Sequence, residues 1–359
     1  MPITAKGLGN GMLPRERVLA ALAFRPPDVV PVEYHSSPAG FYEHGERLRR
    51  LWENCPDDFG PRARFSIRTP DPGCVDGEGR YCEVRRDEWG MIWQHLIFGT
   101  TGFPIERPFD DWSALADFKT PPLPASSGSA FLCEQERARR HRENYFLKSG
   151  WISLFELMQA LRRFEDVLMD IAADTSEINR LADRLTEHHA AYIRYLIARG
   201  VDAVQFGDDF GTQCDLMLSP KTWRSFFKPR YARLMRIAHE GGCKVFFHTC
   251  GRVLRLFDDL ADLGVDAIWP QLNAYDERAL AAWSRDKKIA LALHPDRGEL
   301  MINSGPDDVR RYIDRLASTF EVDRGGAWFY VEVDAGFPYE NVAALTESIA
   351  ALRGVLEIS

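Results

Sequence analysis

The sequence has little of what marks a membrane, secreted or nucleic-acid-binding protein. No apolar run approaches the roughly 18 residues that a bilayer-spanning helix needs. Residues 1–12 contain no apolar core of signal-peptide length. Positive charge is in deficit, with 45 Lys and Arg against 53 Asp and Glu and a net charge of −8. We therefore expect a cytoplasmic protein that acts on a small molecule and has no nucleic-acid or membrane partner.

Paired cysteines are also missing. The seven cysteines are odd in number, and none forms a Cys-x-x-Cys pair. Cys243 and Cys250 lie at opposite ends of one predicted strand, too far apart to bond to each other. This usage favours reduced thiols in a cytoplasm over a disulfide framework.

What is present is a regular alternation of strands and helices from residue 145 onward, which predicts βαβ crossovers and a parallel sheet. A helix at 14–24 precedes it, and residues 62–110 alternate as strand-like pieces of a small antiparallel flap. Eight strands are predicted, at about 29–35, 57–61, 145–150, 201–208, 244–250, 265–271, 289–295 and 327–333.

Eight parallel strands close a barrel, whereas a doubly wound sheet would be expected to show a glycine-rich phosphate turn after its first strand, and this sequence has none. We predict an α/β fold, a (β/α)8 TIM barrel with an N-terminal helical extension and a small antiparallel flap inserted at about 62–110. Residues 1–359 would form a single domain.

The run Lys244–Gly251 ends in His248 and Cys250, two residues apart. This spacing places both side chains on one face of a strand. Imidazole and thiolate together are typical zinc ligands. The alternative is a buried neutral histidine beside an inert cysteine.

Polar residues follow the apolar bodies of the other predicted strands as well. In a (β/α)8 barrel the carboxyl ends of the strands surround the active site. Helix caps and turns also need Asp at such positions, and this alternative explains the His, Cys and Gln members less well. The strand-end residues are Glu33, His35, Lys148, Gln205, Asp208, Asp209, His248, Cys250, Gln271, His294, Asp296, Glu332 and Asp334.

Several segments together resemble the uroporphyrinogen decarboxylase-like superfamily over about residues 14–354. The segments are Phe206–Gln213, Ser219-Pro220, Lys228–Arg230, His239–Gly242, His248–Gly251, Leu263–Asp266 and Pro338–Val342. The resemblance implies a (β/α)8 barrel and one of two chemistries. These are cofactor-free porphyrinogen decarboxylation and zinc-dependent methyl transfer between a corrinoid and a thiol or another acceptor.

The resemblance is closer to the methyltransferase branch. The decarboxylase branch has an arginine-rich segment after its first strand, and the corresponding residues 35–40 contain no arginine. The methyltransferase branch has His-x-Cys, matched by His248 and Cys250, and a second cysteine after the eighth strand. Here Glu332 lies nearest that missing cysteine, and Asp334 is the second choice.

The resemblance thus implies a zinc site made by His248, Cys250 and Glu332, with a corrinoid on a separate partner protein. We assign catalytic roles to Asp208, Asp209 and His294, and hydrogen bonding to a cofactor or substrate to Gln213 and Gln271. The flap around Trp89 and Trp93 either covers the pocket or forms its own local core.

Two other functions stay open. One is a lyase or decarboxylase acting on a smaller, non-porphyrin acid, and the other is a binding protein without catalysis. A homodimer is left open too.

Overall fold

The computed structural model describes residues 11–61 and 67–354. Within these two ranges, ten strands follow one another in chain order, β1 (Val32–Ser36), β2 (Glu83–Arg86), β3 (Ile92–His95), β4 (Phe103–Glu106), β5 (Lys148–Ile152), β6 (Ala203–Gly207), β7 (Lys244–Thr249), β8 (Ala267–Pro270), β9 (Ala290–Leu293) and β10 (Ala327–Val333). Seven of them form one parallel sheet in the order β1-β10-β9-β8-β7-β6-β5. The sheet curls into the predicted TIM-type barrel.

Helices connect and cover these strands. They are α1 (Pro14–Leu22), α2 (Pro38–Glu53), α3 (Gly128–Arg142), α4 (Phe155–Leu161), α5 (Phe164–Ala173), α6 (Ser176–Arg199), α7 (Pro220–Phe226), α8 (Lys228–Glu240), α9 (Phe257–Asp262), α10 (Glu277–Lys287), α11 (Pro306–Thr319) and α12 (Tyr339–Leu352). The helix predicted at 219–240 is divided at Phe227, because Pro229 disfavours a continuous helix there. In the described chain, no helix has both the length and the apolar character needed to cross a bilayer.

The prediction of a regular strand at 57–61 is wrong. That segment is irregular, yet it bridges the gap between β1 and the residues before β5. The Asp58 N–H donates to the Val32 carbonyl oxygen at 2.9 Å, and the Phe146 N–H donates to the Asp58 carbonyl oxygen at 3.1 Å. Two single hydrogen bonds therefore take the place of a strand ladder at this seam of the barrel.

The Asp58 side chain anchors the same seam. Its carboxylate accepts from the Val32 N–H at 2.9 Å and from the guanidinium groups of Arg17 and Arg353. The side chains of Asp58 and Arg353 are 0% and 1% exposed. A buried ion pair therefore joins the chain after α12 to the first strand.

Strand residues alternate between two apolar clusters. Alternate residues of one strand point to opposite sides of the sheet. The outer cluster packs β-strand residues such as Val204, Phe247 and Ile268 against the helices. The inner cluster fills the barrel with Phe59, Phe146, Ala203, Phe246, Ala267, Ala290, Ala292, Trp328 and Tyr330. Polar residues two positions further along these strands therefore project above an apolar floor.

The flap is the predicted antiparallel sheet, with the order β2-β3-β4. Its residues 62–66 lie outside the described part of the chain. The Cys74–Cys82 turn precedes it, and Phe98, in the connection between β3 and β4, packs on Tyr42 of α2, with ring centroids 6.2 Å apart. The flap thus lies beside the helix that follows β1.

We predict that Asp58→Asn lowers the free energy of unfolding by about 3–5 kcal/mol, because it leaves Arg353 as a buried cation without a carboxylate. Urea unfolding at neutral pH measures this loss. Glu136→Gln is the control, since Glu136 pairs with Arg139 on the exposed face of α3, and it should change stability little. Equal effects of both substitutions would contradict the anchoring role of Asp58.

Candidate metal centre and active site

Two loops at the carboxyl ends of β6 and β7 touch backbone to backbone. Gly251 has φ +73°, and a Cβ there would lie 2.2 Å from the Gly211 carbonyl oxygen. A Cβ on Gly211 would lie 2.6 Å from the Arg252 nitrogen. Only glycine allows this approach, which brings Asp209 of the first loop against the end of β7.

Three side chains converge at this contact. One donor atom from each of Asp209, His248 and Cys250 lies within 4.8 Å of the others. The Cys250 Sγ is 3.3 Å from the His248 Nε2, and that Nε2 is 3.7 Å from the Asp209 Oδ1. In addition, the Cys250 N–H donates to the Asp209 Oδ1 at 2.6 Å. Within the described ranges, no other His, Cys, Asp and Glu residues form such a group.

The His248 ring has a fixed orientation. Its Nδ1 lies 2.9 Å from the Trp269 carbonyl oxygen. Because a carbonyl only accepts, Nδ1 carries the hydrogen and Nε2 presents its lone pair toward Cys250 and Asp209. Burial lowers the pKa of His248 to about 4, so the neutral imidazole is the form present at pH 7.

The donor spacing fits a zinc ion. With Zn–S near 2.3 Å and Zn–N near 2.0–2.1 Å, tetrahedral geometry separates sulfur and nitrogen by about 3.5 Å, and nitrogen and oxygen by about 3.4 Å. The distances of 3.3 and 3.7 Å differ from these by only a few tenths of an ångström. Burial, reinforced by Asp209, raises the pKa of the Cys250 thiol to about 12, so metal binding here would displace a proton.

Glu332, predicted as the third ligand, lies outside that group of three. Its Oε2 is 3.7 Å from the His294 Nε2 and 3.4 Å from the Arg297 guanidinium. Arg297 also bonds Asp334 at 3.1 Å, which places both candidate carboxylates around one arginine. Burial, with Asp334 nearby, raises the pKa of Glu332 to about 7.

Asp208 is a structural anchor in this fold. It is 0% exposed, and its carboxylate accepts from the Ser153 hydroxyl, from the N–H groups of Leu154, Phe155 and Glu156 at the start of α4, and from the Tyr231 hydroxyl. These five donors use the lone pairs of both oxygens. The adjacent Asp209, in contrast, belongs to the group of three.

Gln213 and Gln271 form a reciprocal amide pair at the carboxyl end of the barrel. The Gln271 Nε2 donates to the Gln213 Oε1 at 3.0 Å, and the return bond measures 3.3 Å. The Gln271 Oε1 also accepts from the Gly251 N–H at 2.9 Å. The pair therefore supports the loop that carries Cys250.

The β1 end carries a satisfied charge cluster. Glu33 is 2% exposed and binds Lys148 Nζ at 2.9 Å and His35 Nε2 at 2.7 Å. Burial by itself would raise the pKa of Glu33, but the charge of Lys148 and the hydrogen bond with His35 have the larger combined effect and lower it to about 2. Lys148 also lies over the Tyr330 ring at 5.6 Å. This cluster forms the boundary between the inner apolar floor and the pocket.

The residues missed by sequence reasoning are aromatic or charged groups next to the predicted ones. Trp269 packs on His248 with ring centroids 4.1 Å apart, and Trp151 does so at 5.6 Å. Glu156 lies close to Asp209, and burial with the two aspartates raises its pKa to about 8. Trp269 sits two residues before Gln271, so inward alternation along β8 could have identified it.

The two flap tryptophans are packing residues, Trp93 inside the flap and Trp89 against neighbouring parts of the fold. Trp93 donates its indole N–H to Asp87 at 2.7 Å. Trp89 lies against Phe118 and against His188 of α6, with ring centroids 6.4 and 4.9 Å apart. Of the two roles considered for them, these contacts favour local core.

A family comparison agrees with this architecture. The model of the uroporphyrinogen decarboxylase (URO-D) family matches residues 134–351, which is more than half of the chain. The chain belongs to the uroporphyrinogen decarboxylase family. The matched region of this family member includes β6 to β10 and therefore Asp209, His248, Cys250, His294 and Glu332.

One solved structure shows the same fold. A methyltransferase from Methanosarcina mazei superposes with a TM-score of 0.60 at 18% identity, covering 95% of this chain and 99% of that one. A B12-independent methionine synthase from Shewanella sp. W3-18-1 reaches a TM-score of 0.42 at 11% identity, covering 89% and 87%. A dihydropteroate synthase from Anaplasma phagocytophilum reaches 0.37 at 17% identity, covering 58% and 76%. Among curated proteins, no match was found.

We predict that Gly251→Ala disrupts the junction of the two loops, because its Cβ would collide with the Gly211 backbone. Gly242→Ala is the matched control, since Gly242 has φ +76° and open space around it. In the control, the free energy of unfolding should fall only by the cost of placing alanine in a left-handed backbone conformation, about 1–2 kcal/mol. Thermal or urea unfolding should show a larger loss for Gly251→Ala, and equal losses would rule out the close contact.

Proposed function

We propose that this protein is a zinc-dependent methyltransferase of a corrinoid-linked methyl-transfer system. The observation that carries the proposal is the convergence of Asp209, His248 and Cys250 within 4.8 Å at the carboxyl end of the barrel. We assign zinc to these three residues, with Asp209 in the place that Glu332 holds in the sequence-based prediction. The methyl donor or acceptor would take the remaining position.

The charge of the pocket supports methyl transfer over porphyrinogen decarboxylation. Five carboxyl groups surround the mouth, whereas the cations among these side chains are Lys148 and Arg297, both already paired with carboxylates. A tetrapyrrole with many carboxylates would find no unpaired cation among these side chains. The carboxyl groups are Glu33, Glu156, Asp209, Glu332 and Asp334.

A zinc ion at this site would favour the deprotonated form of a substrate thiol, or would polarise a methyl ether so that its oxygen leaves more easily. Asp209 also holds the Cys250 backbone in place through the Cys250 N–H. Glu332, with its pKa near neutrality, is suited to accept or deliver a proton. His294 lies beside it, with its Nε2 3.7 Å from the carboxylate.

The rest of the proposal concerns the surroundings of this site. The chain would act as one catalytic barrel domain in the cytoplasm, and the corrinoid would be carried by a separate protein. That protein would dock over the carboxyl ends of the strands, where the small-molecule substrate also enters.

We predict that the purified protein contains about one zinc ion per chain, and that His248→Ala and Cys250→Ser remove it. Asp209→Asn should weaken retention, whereas Glu332→Gln should retain the metal. Metal analysis by mass spectrometry, with competition by a chelator, measures each variant. The physical reason is that structural and catalytic zinc sites need at least three protein donors.

Cys243→Ser provides the control for the zinc measurement. Cys243 is buried at the opposite end of β7, where its Sγ donates to the Val201 carbonyl oxygen. Its substitution should leave the zinc content unchanged. Equal zinc in the wild type, His248→Ala and Cys250→Ser would end the metal proposal. Loss of zinc with Glu332→Gln but not with Asp209→Asn would show that the third ligand is Glu332 and not Asp209.

We predict that the zinc-loaded protein moves a methyl group between a cobalamin and a small molecule. The absorbance change between cob(I)alamin and methylcob(III)alamin reports the transfer in either direction, with a panel of thiols and methyl ethers. His248→Ala and Cys250→Ser should fall to the uncatalysed rate, because both remove the metal. Turnover of a small carboxylic acid without any corrinoid would instead support a lyase.

A further inference from the structure

Trp269 contacts two histidines through two different groups. Its carbonyl oxygen lies 2.9 Å from the His248 Nδ1, and its indole Nε1–H donates to the His294 Nδ1 at 3.1 Å. Residue 269 lies on β8, between β7, which carries His248, and β9, which ends just before His294. One residue therefore fixes both rings.

The two contacts require opposite tautomers. A carbonyl only accepts a hydrogen bond, so His248 carries its hydrogen on Nδ1 and leaves Nε2 bare. An indole N–H only donates, so the His294 Nδ1 must be bare. A neutral imidazole has one N–H, which places the His294 hydrogen on Nε2. Trp269 thus makes one histidine a potential metal ligand and the other a hydrogen-bond donor.

Among the described residues, none is a hydrogen-bond partner of the His294 Nε2. His294 is 9% exposed, and its Nε2 is a buried atom without a hydrogen bond. The nearby Glu332 Oε2 is 3.7 Å away, beyond hydrogen-bond distance. A buried donor left unpaired is costly, and such atoms are few in native structures. The His294 ring is separated from His248 of the candidate metal centre by Trp269 alone, with Trp269–His248 and Trp269–His294 ring centroids 4.1 and 5.5 Å apart. A substrate atom bound at this end of the barrel could satisfy the donor.

We propose that the His294 Nε2–H is the donor of an oxygen-binding subsite next to the metal centre, and that Trp269 is the positioning residue that keeps the hydrogen there. The ligand atom is an oxygen with a free lone pair, as in a carbonyl, an ether or a carboxylate. A protonated amine has no lone pair to offer. Only the identity of the substrate that supplies this oxygen rests on the proposed function.

The same tautomer excludes His294 as a metal ligand. Coordination through Nε2 would need a lone pair there and would move the hydrogen to Nδ1, against the Trp269 indole N–H. His248 and His294 lie on opposite sides of Trp269, yet only His248 can contribute to the metal centre in this arrangement. The structure therefore separates metal binding from oxygen binding by hydrogen placement.

The test is 15N NMR of the full-length protein with labelled histidine side chains. Long-range 1H–15N spectra distinguish a bare from a protonated ring nitrogen, and loss of one signal in His294→Gln assigns His294 among the nine histidines. We expect a bare Nδ1 and a protonated Nε2 for His294 at neutral pH. In Trp269→Phe, which removes the indole donor, we expect the hydrogen to be shared between both nitrogens.

Trp283→Phe is the matched control, because the Trp283 indole N–H donates to Asp258 at the surface, away from the pocket. It should leave the His294 spectrum unchanged. Zinc content should also be unaffected by Trp269→Phe, because His248 bonds to the main-chain oxygen. A wild-type His294 with a protonated Nδ1 would overturn the inference, whether or not the protein binds zinc or transfers methyl groups.

Acetone, a neutral carbonyl compound, probes the subsite itself. We expect a saturable change at the His294 Nε2 that exceeds the change at the other histidines, and a weaker one in Trp269→Phe. No preferential change at His294 would overturn the subsite. In Glu332→Gln, a change in the Nε2 signal as large as that caused by acetone would show that Glu332 already occupies the donor, and would overturn it as well.

Discussion

The alternation of side chains along parallel strands is the constraint on which this molecule depends. Every second residue of a barrel strand points inward, and the inner cluster shows that the lower inward positions are apolar. The next inward positions are polar, as in Phe246 followed by His248 and Tyr330 followed by Glu332. Because the strands are parallel, these polar positions meet at one end of the barrel. A shift by one residue in any strand would exchange them for outer-cluster residues.

Burial then determines the chemistry of this end. A charged group removed from water is destabilised unless an opposite charge compensates it. Glu33 has that compensation from Lys148 and ionises readily, whereas Glu332 has less of it and titrates near neutrality. Burial lowers the pKa values of His248 and His294, so these two rings are held neutral. One barrel mouth therefore offers a fixed carboxylate, a titratable carboxyl and neutral imidazoles within one chain.

Much of the fold followed from the pattern of apolar residues. The barrel, the leading helix and the flap are confirmed, and β10 (Ala327–Val333) has the predicted bounds. The segment at 57–61 was predicted wrongly, because its closure of the barrel depends on the buried Asp58 and its contacts with Val32 and Arg353, far away in sequence. Local alternation carries no information on such a contact.

For the site, the sequence by itself determined that the side chains of His248 and Cys250 lie together at the end of β7, since residues two apart in extended chain point to the same side. It also determined that polar groups follow the strands at one end of the barrel. Only the tertiary structure decided that Asp209 meets them while Asp208 anchors α4, and that Trp269 orients two histidines differently. These outcomes depend on loop positions to within a few tenths of an ångström and on the direction of single hydrogen bonds. Both are set only when distant segments pack together.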